Sequence, residues 1–252
     1  MTPEVRPPPP PDRYPFWGYA DLFLFLGLSL PCLLAGALIV RLLFATLSIS
    51  GTPKTFELLP AQFLGYGILF GVLYLLFRFH YHRPFWASLR WVPSPYPASR
   101  VMALGILLAV GVALSSLLLR TPDLPTPMKE LLSDRTSVIL IALFGITLGP
   151  LVEELAFRGF MQPLFVRSLG TVAGIVVAAL PFGILHLPQY GFSWRHGLLI
   201  TLAGSAFGWM RHKTGSTLAA TVMHAAYNAT FFMALAAQHG DFPVRGWGLA
   251  RW

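Results

Sequence analysis

The stretch LFLFLGLSLPCLLAGALIVRLLFATL, residues 22–47, is an apolar run that contains one charged residue, Arg41. A helix needs about 20 predominantly apolar residues to cross the hydrocarbon core of a bilayer. The run is longer than the core of a secretory signal peptide, and it has no convincing small-residue cleavage site. We therefore expect residues 22–47 to form a retained membrane-spanning helix, with Arg41 reaching towards an interface.

Six further apolar runs follow along the chain. They cover residues 61–77, 101–119, 137–166, 171–187, 196–210 and 216–237. With the first run they predict an all-α fold, a polytopic membrane helix bundle of about seven transmembrane helices, with a range of six to eight. Two GxxxG patterns, Gly67 to Gly71 and Gly204 to Gly208, predict close packing between neighbouring helices.

The composition favours the same class of protein. Of the 252 residues, 55% are hydrophobic and 11% are charged, whereas soluble domains carry about a quarter charged residues. We expect one membrane domain, in which residues 21–136 form N-terminal membrane helices and their connections and residues 137–238 form a second group of helices. A proline-rich solvated tail is expected at residues 1–20 and a C-terminal tail at residues 239–252.

Charge and cysteine content exclude several kinds of partner and site. The formal net charge is +8, but the basic residues flank apolar runs instead of forming a stripe with interleaved aromatics. This pattern favours the lipid bilayer as a partner over nucleic acid. Cys32 is the single cysteine, so an intrachain disulfide and a cysteine-based metal cluster are excluded.

The distribution of arginine predicts the orientation. The connection between the second and third runs carries Arg78, Arg83, Arg90 and Arg100. The positive-inside rule places such a connection in the cytoplasm, and an intervening pair of spans places the N-terminus on the same side. We expect a multi-pass protein in the plasma membrane of a prokaryote, with a cytoplasmic N-terminus.

The segment GPLVEELAFRGF, residues 149–160, is unusual because it places Glu153, Glu154 and Arg158 inside an apolar run. A charged group at mid-membrane depth costs at least about 2.5 kcal/mol, so such groups normally face protein or water and are paired. Glu154 and Arg158 are spaced i, i+4 on a helix and can form an ion pair, whereas Glu153 points about 100° away. Glu153 is then available as a proton acceptor. A purely structural ion-pair network is the alternative.

Two further apolar runs carry polar clusters. In FGILH, residues 182–186, Phe182 lies one helical turn before His186, and in HAAYN, residues 224–228, His224 lies one turn before Asn228. A carboxylate, two imidazoles and an amide can supply a general base, a group that positions water and donors for an oxyanion. The structural alternatives are a histidine bonded to a backbone carbonyl, a hydrogen-bonded clamp between helices and a packing role for Phe182.

The three clusters match the ordered motifs EExxxR, FxxxH and HxxxN, so the chain resembles the CPBP family of CAAX-type intramembrane endopeptidases. The resemblance covers residues 137–237 and implies a catalytic helical core. It implies that Glu153 and His186 activate the attacking water and that His224 and Asn228 stabilise the tetrahedral oxyanion. It implies that Glu154 and Arg158 organise the site or engage the substrate. We expect Phe182 to pack beneath the site.

The resemblance also implies a peptide or protein substrate, membrane-associated or prenylated, and leaves the cofactor open. Direct activation of water without a metal is favoured, because the HExxH pattern, which puts two ligands and a base on one helix, is absent. A zinc site formed by Glu153, His186 and His224 is the alternative.

Proteases of other types fit the sequence less well. A rhomboid-like serine protease needs a GxSG stretch, which the chain lacks, and no aspartate lies in the middle of an apolar run as an aspartyl protease requires. Two alternatives that are not proteases stay open. A proton-coupled transporter would also bury Glu, His and Arg, and a non-catalytic immunity or scaffold protein could keep the motifs for structure.

Overall fold

The computed structural model describes residues 14–122, 126–132 and 134–238, which form helices joined by short connections and contain no strand. The helices are α1 (Tyr19–Thr46), α2 (Thr55–Leu75), α3 (Phe85–Ser88), α4 (Ala98–Leu118), α5 (Pro127–Leu131), α6 (Arg135–Ile146), α7 (Leu148–Glu154), α8 (Gln162–Leu169), α9 (Thr171–His186), α10 (Trp194–Thr214) and α11 (Thr217–Gln238). A π-helical turn, Leu76–His80, extends α2, and a π-helical segment, Leu155–Met161, joins α7 to α8. A short 3-10 segment, Leu187–Tyr190, extends α9.

Among the described residues, six helical stretches are long and apolar enough to cross a membrane. They are Tyr19–Thr46, Thr55–His80, Ala98–Leu118, Arg135–Leu169, Thr171–Tyr190 and Thr217–Ala237. The expected all-α polytopic membrane bundle is therefore confirmed, with six such helices against about seven expected. The remaining run, residues 196–210, lies in α10, which is as long as α4 but is not among the six. Its buried residues include Gly204 and Phe207, so α10 faces protein along much of its length.

The chain runs back and forth between two ends of the bundle. Tyr14, Ser88 and Arg211 are linked by hydrogen bonds at one end, which we call the Tyr14 end. Arg195 donates to the carbonyl of Arg120 at the opposite end, where Thr55 and Ser137 also share a buried hydrogen bond. The helix α10 thus connects the two ends, antiparallel to α9 and α11, and near its centre the carbonyl of Gly204 accepts a hydrogen bond from Arg158 in the π-helical segment.

Glycines bring the helices close together, but not all at the positions that the GxxxG patterns indicate. Gly36 of α1 lies against the backbone of Gly65 in α2, where an added Cβ would come within 2.6 Å of the amide nitrogen. Gly67 and Gly71 face open space, so the packing prediction for that pair is wrong. Their spacing is that of a contact face, but the face of α2 that meets α1 is the one that carries Gly65. Gly204 and Gly208 do lie in close contacts.

The N-terminal segment departs from the expected solvated tail at residues 1–20. Residues 1–13, with the proline run, lie outside the described residues, as do residues 239–252. Trp17, however, is fully buried, and its indole nitrogen donates to the carbonyl of Phe160 at 3.0 Å. The ring also stacks on Phe160. Because Trp17 and Phe16 pack on an aromatic cluster that includes Phe77, the residues directly before α1 form part of the core.

Candidate active site

The helix that carries the glutamates changes its geometry at the site. The helix α6 ends at Ile146, Thr147 adopts a non-helical conformation, and α7 begins at Leu148 with Pro150 in its first turn. The missing N–H of proline is tolerated at that position because the first amides of a helix have no intrahelical acceptor. Directly after Glu154 the backbone changes to the π-helical segment, a feature that is frequent at functional sites.

Glu154 and Arg158 form the ion pair that their spacing predicts. Arg158 Nη1 lies 2.9 Å from Glu154 Oε1, and both side chains are almost completely buried. Arg158 Nη2 donates to the carbonyl oxygen of Gly204 in α10 at 2.8 Å. Two charges removed from water need both mutual attraction and further hydrogen bonds. The main chain of α10 supplies one of these bonds and thereby holds the guanidinium in place.

Aromatic rings surround the guanidinium of Arg158. Its central carbon lies 4.5 Å from the ring centre of Phe182 and 5.5 Å from that of Phe207. Phe182 is buried and also contacts the rings of His186 and His224. The ring therefore contacts the guanidinium and both imidazoles, and its face is attracted to the cation.

His224 bridges the two glutamates. Its Nδ1 lies 2.9 Å from Glu154 Oε1, and its Nε2 lies 3.7 Å from Glu153 Oε2. The imidazole is buried and stacks on Phe207 with ring centres 4.4 Å apart. Since a carboxylate accepts hydrogen bonds, Nδ1 carries the proton that is donated to Glu154. The Nε2 atom consequently faces Glu153.

His186 approaches Glu153 from another direction. Its Nδ1 lies 2.7 Å from the carbonyl oxygen of Phe182 and so carries a proton, which leaves Nε2 as an acceptor in the neutral ring. This Nε2 lies 3.9 Å from Glu153 Oε1, too far for a direct hydrogen bond. The side chains of Glu153 and His186 are 27% and 20% exposed, whereas that of Glu154 is fully enclosed. The two glutamates thus occupy different environments.

Asn228 lies one turn beyond His224 on α11, but its amide has a partner outside the cluster of Glu153, His186 and His224. Asn228 Nδ2 donates to the carbonyl oxygen of Gly145 in α6 at 2.6 Å. That bond links α11 to the end of α6 directly before α7. An amide group has two N–H donors, so this bond uses one of them.

Several residues at the site were not expected from the motifs. They are Gly204 and Phe207, which contact Arg158 and His224, and Gln162, a buried residue whose Nε2 donates to the carbonyl oxygen of Gly208 at 2.9 Å. Tyr66 of α2 and Tyr190 lie within electrostatic range of Glu153. One signal was present in the sequence, because Arg158 and Gln162 have the same spacing of four as Gly204 and Gly208.

Glu153 lies near both histidines of the zinc alternative. Two imidazole nitrogens and a carboxylate are suitable zinc ligands, and tetrahedral bonds of about 2.1 Å place such ligand atoms about 3.4 Å apart. The distances from Glu153 to His224 and His186 are 3.7 and 3.9 Å. Among the described residues, no group of three or more His, Cys, Asp or Glu side chains is arranged to hold a metal ion. In these positions the side chains are spaced more widely than zinc ligands, and both the metal-free reaction and the zinc alternative stay predictions.

Comparison with known proteins gives a family match for part of the chain. Residues 135–230 match the family model described as Rce1-like, type II CAAX prenyl endopeptidase. Neither the curated proteins nor the solved structures gave a match. The matched segment begins at α6 and reaches into α11, so it includes all three motifs. Over this segment the chain is similar to type II CAAX prenyl endopeptidases, and its six long apolar helices make it a multi-pass integral membrane protein.

Proposed function

We propose that this protein hydrolyses a peptide bond of a membrane-associated substrate, with water activated by Glu153 and His186. The observation that carries the proposal is the pair of acceptors at one partly exposed place. Glu153 Oε1 and His186 Nε2 are 3.9 Å apart. One water oxygen can lie within about 2.8 Å of both atoms, a normal hydrogen-bond length. The water then donates one hydrogen bond to Glu153 Oε1 and the other to His186 Nε2.

In the proposed reaction, Glu153 takes a proton from the water as its oxygen attacks the carbonyl carbon of the substrate. The C–N bond breaks when the tetrahedral intermediate collapses, and the proton on Glu153 passes to the leaving amine. The products are a carboxylic acid and an amine, which become a carboxylate and an ammonium group when the remaining proton moves, so the step needs no oxidant or further reactant. Partial exposure of Glu153 is consistent with this role because a general base must reach both water and substrate.

His224 and Asn228 are proposed to stabilise the oxyanion. With its Nδ1 proton donated to Glu154, His224 can donate from Nε2 when the ring carries a second proton. Asn228 can offer the N–H that does not bond to Gly145. Donors aimed at a developing oxyanion in an enclosed site contribute about 3 kcal/mol each to the transition state.

Glu154, Arg158 and Phe182 are proposed to support these groups. Glu154 orients His224 through Nδ1, and Arg158 neutralises Glu154 and ties it to α10. Phe182 packs against Arg158 and both histidines. A fixed third group of this kind sets the tautomer and direction of a catalytic imidazole. We expect variants of these three residues to lose stability together with activity.

We propose that the reaction needs no metal and that the substrate reaches the site as a membrane-associated peptide, prenylated or not. The test uses the full-length protein in liposomes and a library of peptides with and without a prenyl group. Activity that survives a chelator supports activation of water by Glu153 and His186 alone. Loss of activity with the chelator and recovery with zinc would favour the alternative site of Glu153, His186 and His224.

The catalytic assignment is tested by Glu153→Gln and His186→Ala. Removal of a general base lowers the rate by about 100-fold to 10,000-fold. The matched control is Glu57→Gln, because Glu57 is an exposed glutamate at the opposite end from Tyr14, where it pairs with Arg41. We expect the control to retain wild-type activity. Full activity in both site variants would refute the assignment, and a loss of activity supports it when the helical content and unfolding midpoint of the variant equal those of wild type.

The two non-protease alternatives receive less support. The match over residues 135–230 is to a family of endopeptidases, and a transporter or a scaffold would not need the paired acceptors around Glu153. Substrate cleavage by the purified protein, lost in Glu153→Gln, distinguishes the enzyme from both.

A further inference from the structure

A second buried cation lies at the Tyr14 end of the bundle, in the last turn of α10. Arg211 is 8% exposed. Its Nε donates to the hydroxyl of Thr217 at 2.9 Å, and its Nη2 donates to the hydroxyl of Tyr14 at 3.1 Å. Thr217 in turn donates to the carbonyl of Leu89. These bonds fix the guanidinium between the N-terminal segment, the connection after α3 and the start of α11.

Arg90 brings a second guanidinium to the same place. Its central carbon lies 4.9 Å from the ring centre of Tyr14. The backbone of Arg90 has φ +56°, in the left-handed region, which is costly for a residue with a side chain. Hydrogen bonds hold this conformation, because the amide of Thr217 donates to the carbonyl of Arg90 and Ser216 Oγ donates to that of Val92. The fold thus fixes the backbone that presents Arg90 beside Tyr14.

Neither guanidinium contacts a carboxylate of the described residues. Asp21, an acidic side chain at the same end, accepts from the amide of Gly18 and the hydroxyl of Tyr81. The C-terminal end of α10 offers partial negative charge, equivalent to about half a charge, near Arg211. A buried cation normally has a full anionic partner, since its removal from water is costly. The contacts of Arg211 with neutral hydroxyls do not supply one.

We propose that Arg211, Arg90 and Tyr14 form a binding site for a phosphate group, from an anionic lipid headgroup or from free phosphate. A guanidinium matches the oxygens of a phosphate and can donate two parallel hydrogen bonds. The location suits a headgroup, because the site lies where membrane-spanning helices end. Lys213 and Arg100 lie exposed at the same end, and basic clusters at this depth attract anionic lipids.

The site joins three parts of the chain that are distant in sequence, which gives the bound anion a measurable effect. A ligand that binds only the folded protein raises the unfolding midpoint. The experiment uses the full-length protein in non-ionic detergent, titrated separately with inorganic phosphate and with short-chain phosphatidylglycerol. Sodium chloride at equal ionic strength serves as the control for screening. We expect a saturable rise of about 4 °C at tenfold excess over the dissociation constant.

The variants Arg90→Gln and Arg211→Lys should lose that rise. Arg90 is exposed, so its replacement tests binding without disturbing a buried position, and Arg211→Lys keeps the charge while it removes the planar donor pair. The matched control is Lys213→Gln, an exposed basic residue two positions from Arg211, which should keep the rise. A rise with phosphate identifies a free-anion site, and a rise with phosphatidylglycerol alone identifies a lipid site. No rise with either probe, or an equal rise in all variants, would overturn the proposal.

Discussion

At the scale of single residues, adjacent glutamates have been placed in different surroundings. Glu154 is enclosed and has two charged or polar partners on one oxygen, Arg158 and His224. Glu153 is partly exposed and has the two imidazole Nε2 atoms at 3.7 and 3.9 Å. The second oxygen of Glu154 is buried without a hydrogen-bond partner among the described residues. Such a carboxylate is sensitive to the loss of its remaining contacts.

Glu154→Gln should therefore destabilise the protein strongly. The change leaves the guanidinium of Arg158 buried without a counter-charge, which costs about 3 kcal/mol or more. Glu57→Gln removes an exposed pair with Arg41 and should cost about 1 kcal/mol or less. The free energy of unfolding in mixed detergent measures both. Equal small losses in the two variants would contradict a structural role for the buried pair.

At the scale of helices, the contact between α4 and α11 controls the position of His224. An added Cβ at Gly105 of α4 would lie 2.3 Å from the carbonyl oxygen of Met223, the residue before His224. At Gly111 on the same helix, no atom of the described residues outside the local helix backbone lies within 4 Å of the corresponding position. The two glycines thus differ in packing although they share a helix and a residue type.

We predict that Gly105→Ala lowers both stability and activity. The methyl group must push α11 away or shift Met223, and overpacking of this kind costs about 1–3 kcal/mol. Gly111→Ala gains helix propensity of up to about 1 kcal/mol without a clash and should retain activity. Unfolding midpoints and cleavage rates of the two variants provide the comparison. Normal activity in Gly105→Ala would mean that α11 can move without displacing His224.

Local spacing along one helix could be predicted from the sequence, and contacts between helices could not. The i, i+4 relation of Glu154 and Arg158 follows from helical periodicity alone. The bond from His224 to Glu154 and the bond from Asn228 to Gly145 depend on how α11 approaches α7 and α6. The packing prediction from Gly67 and Gly71 was wrong for the same reason, since a spacing of four does not show which face of α2 meets α1.

At the scale of the whole molecule, the described chain has two ends with different charge. The Tyr14 end carries Arg90, Arg100, Arg211 and Lys213, and Asp21 is an acidic residue there. The other end mixes Lys54, Arg120 and Arg195 with Glu57 and Asp134. Asp134 caps the start of α6, and its hydrogen bonds from Ser137 lower the pKa of its carboxyl group. We propose that the Tyr14 end, with the N-terminus, faces the cytoplasm.

Cysteine labelling tests this orientation. In a Cys32→Ala background, Lys213→Cys and Lys54→Cys place single thiols at exposed positions of opposite ends. An impermeant maleimide added to intact cells should label the cysteine at position 54 and reach that at position 213 only after the membrane is opened. The reverse pattern would show the opposite orientation.

The hydrogen bond from Arg158 to the carbonyl of Gly204 has a consequence for mutational scanning. The acceptor belongs to the peptide unit, so every substitution at position 204 leaves it in place. The Cβ that such a substitution adds would come within 2.9 Å of Arg158 Nη2 and of the Phe182 ring. A scan will therefore score position 204 as a steric requirement for glycine. Of the two hydrogen bonds that Arg158 donates to Glu154 and Gly204, the second ends on a backbone atom, so no codon change can remove that acceptor.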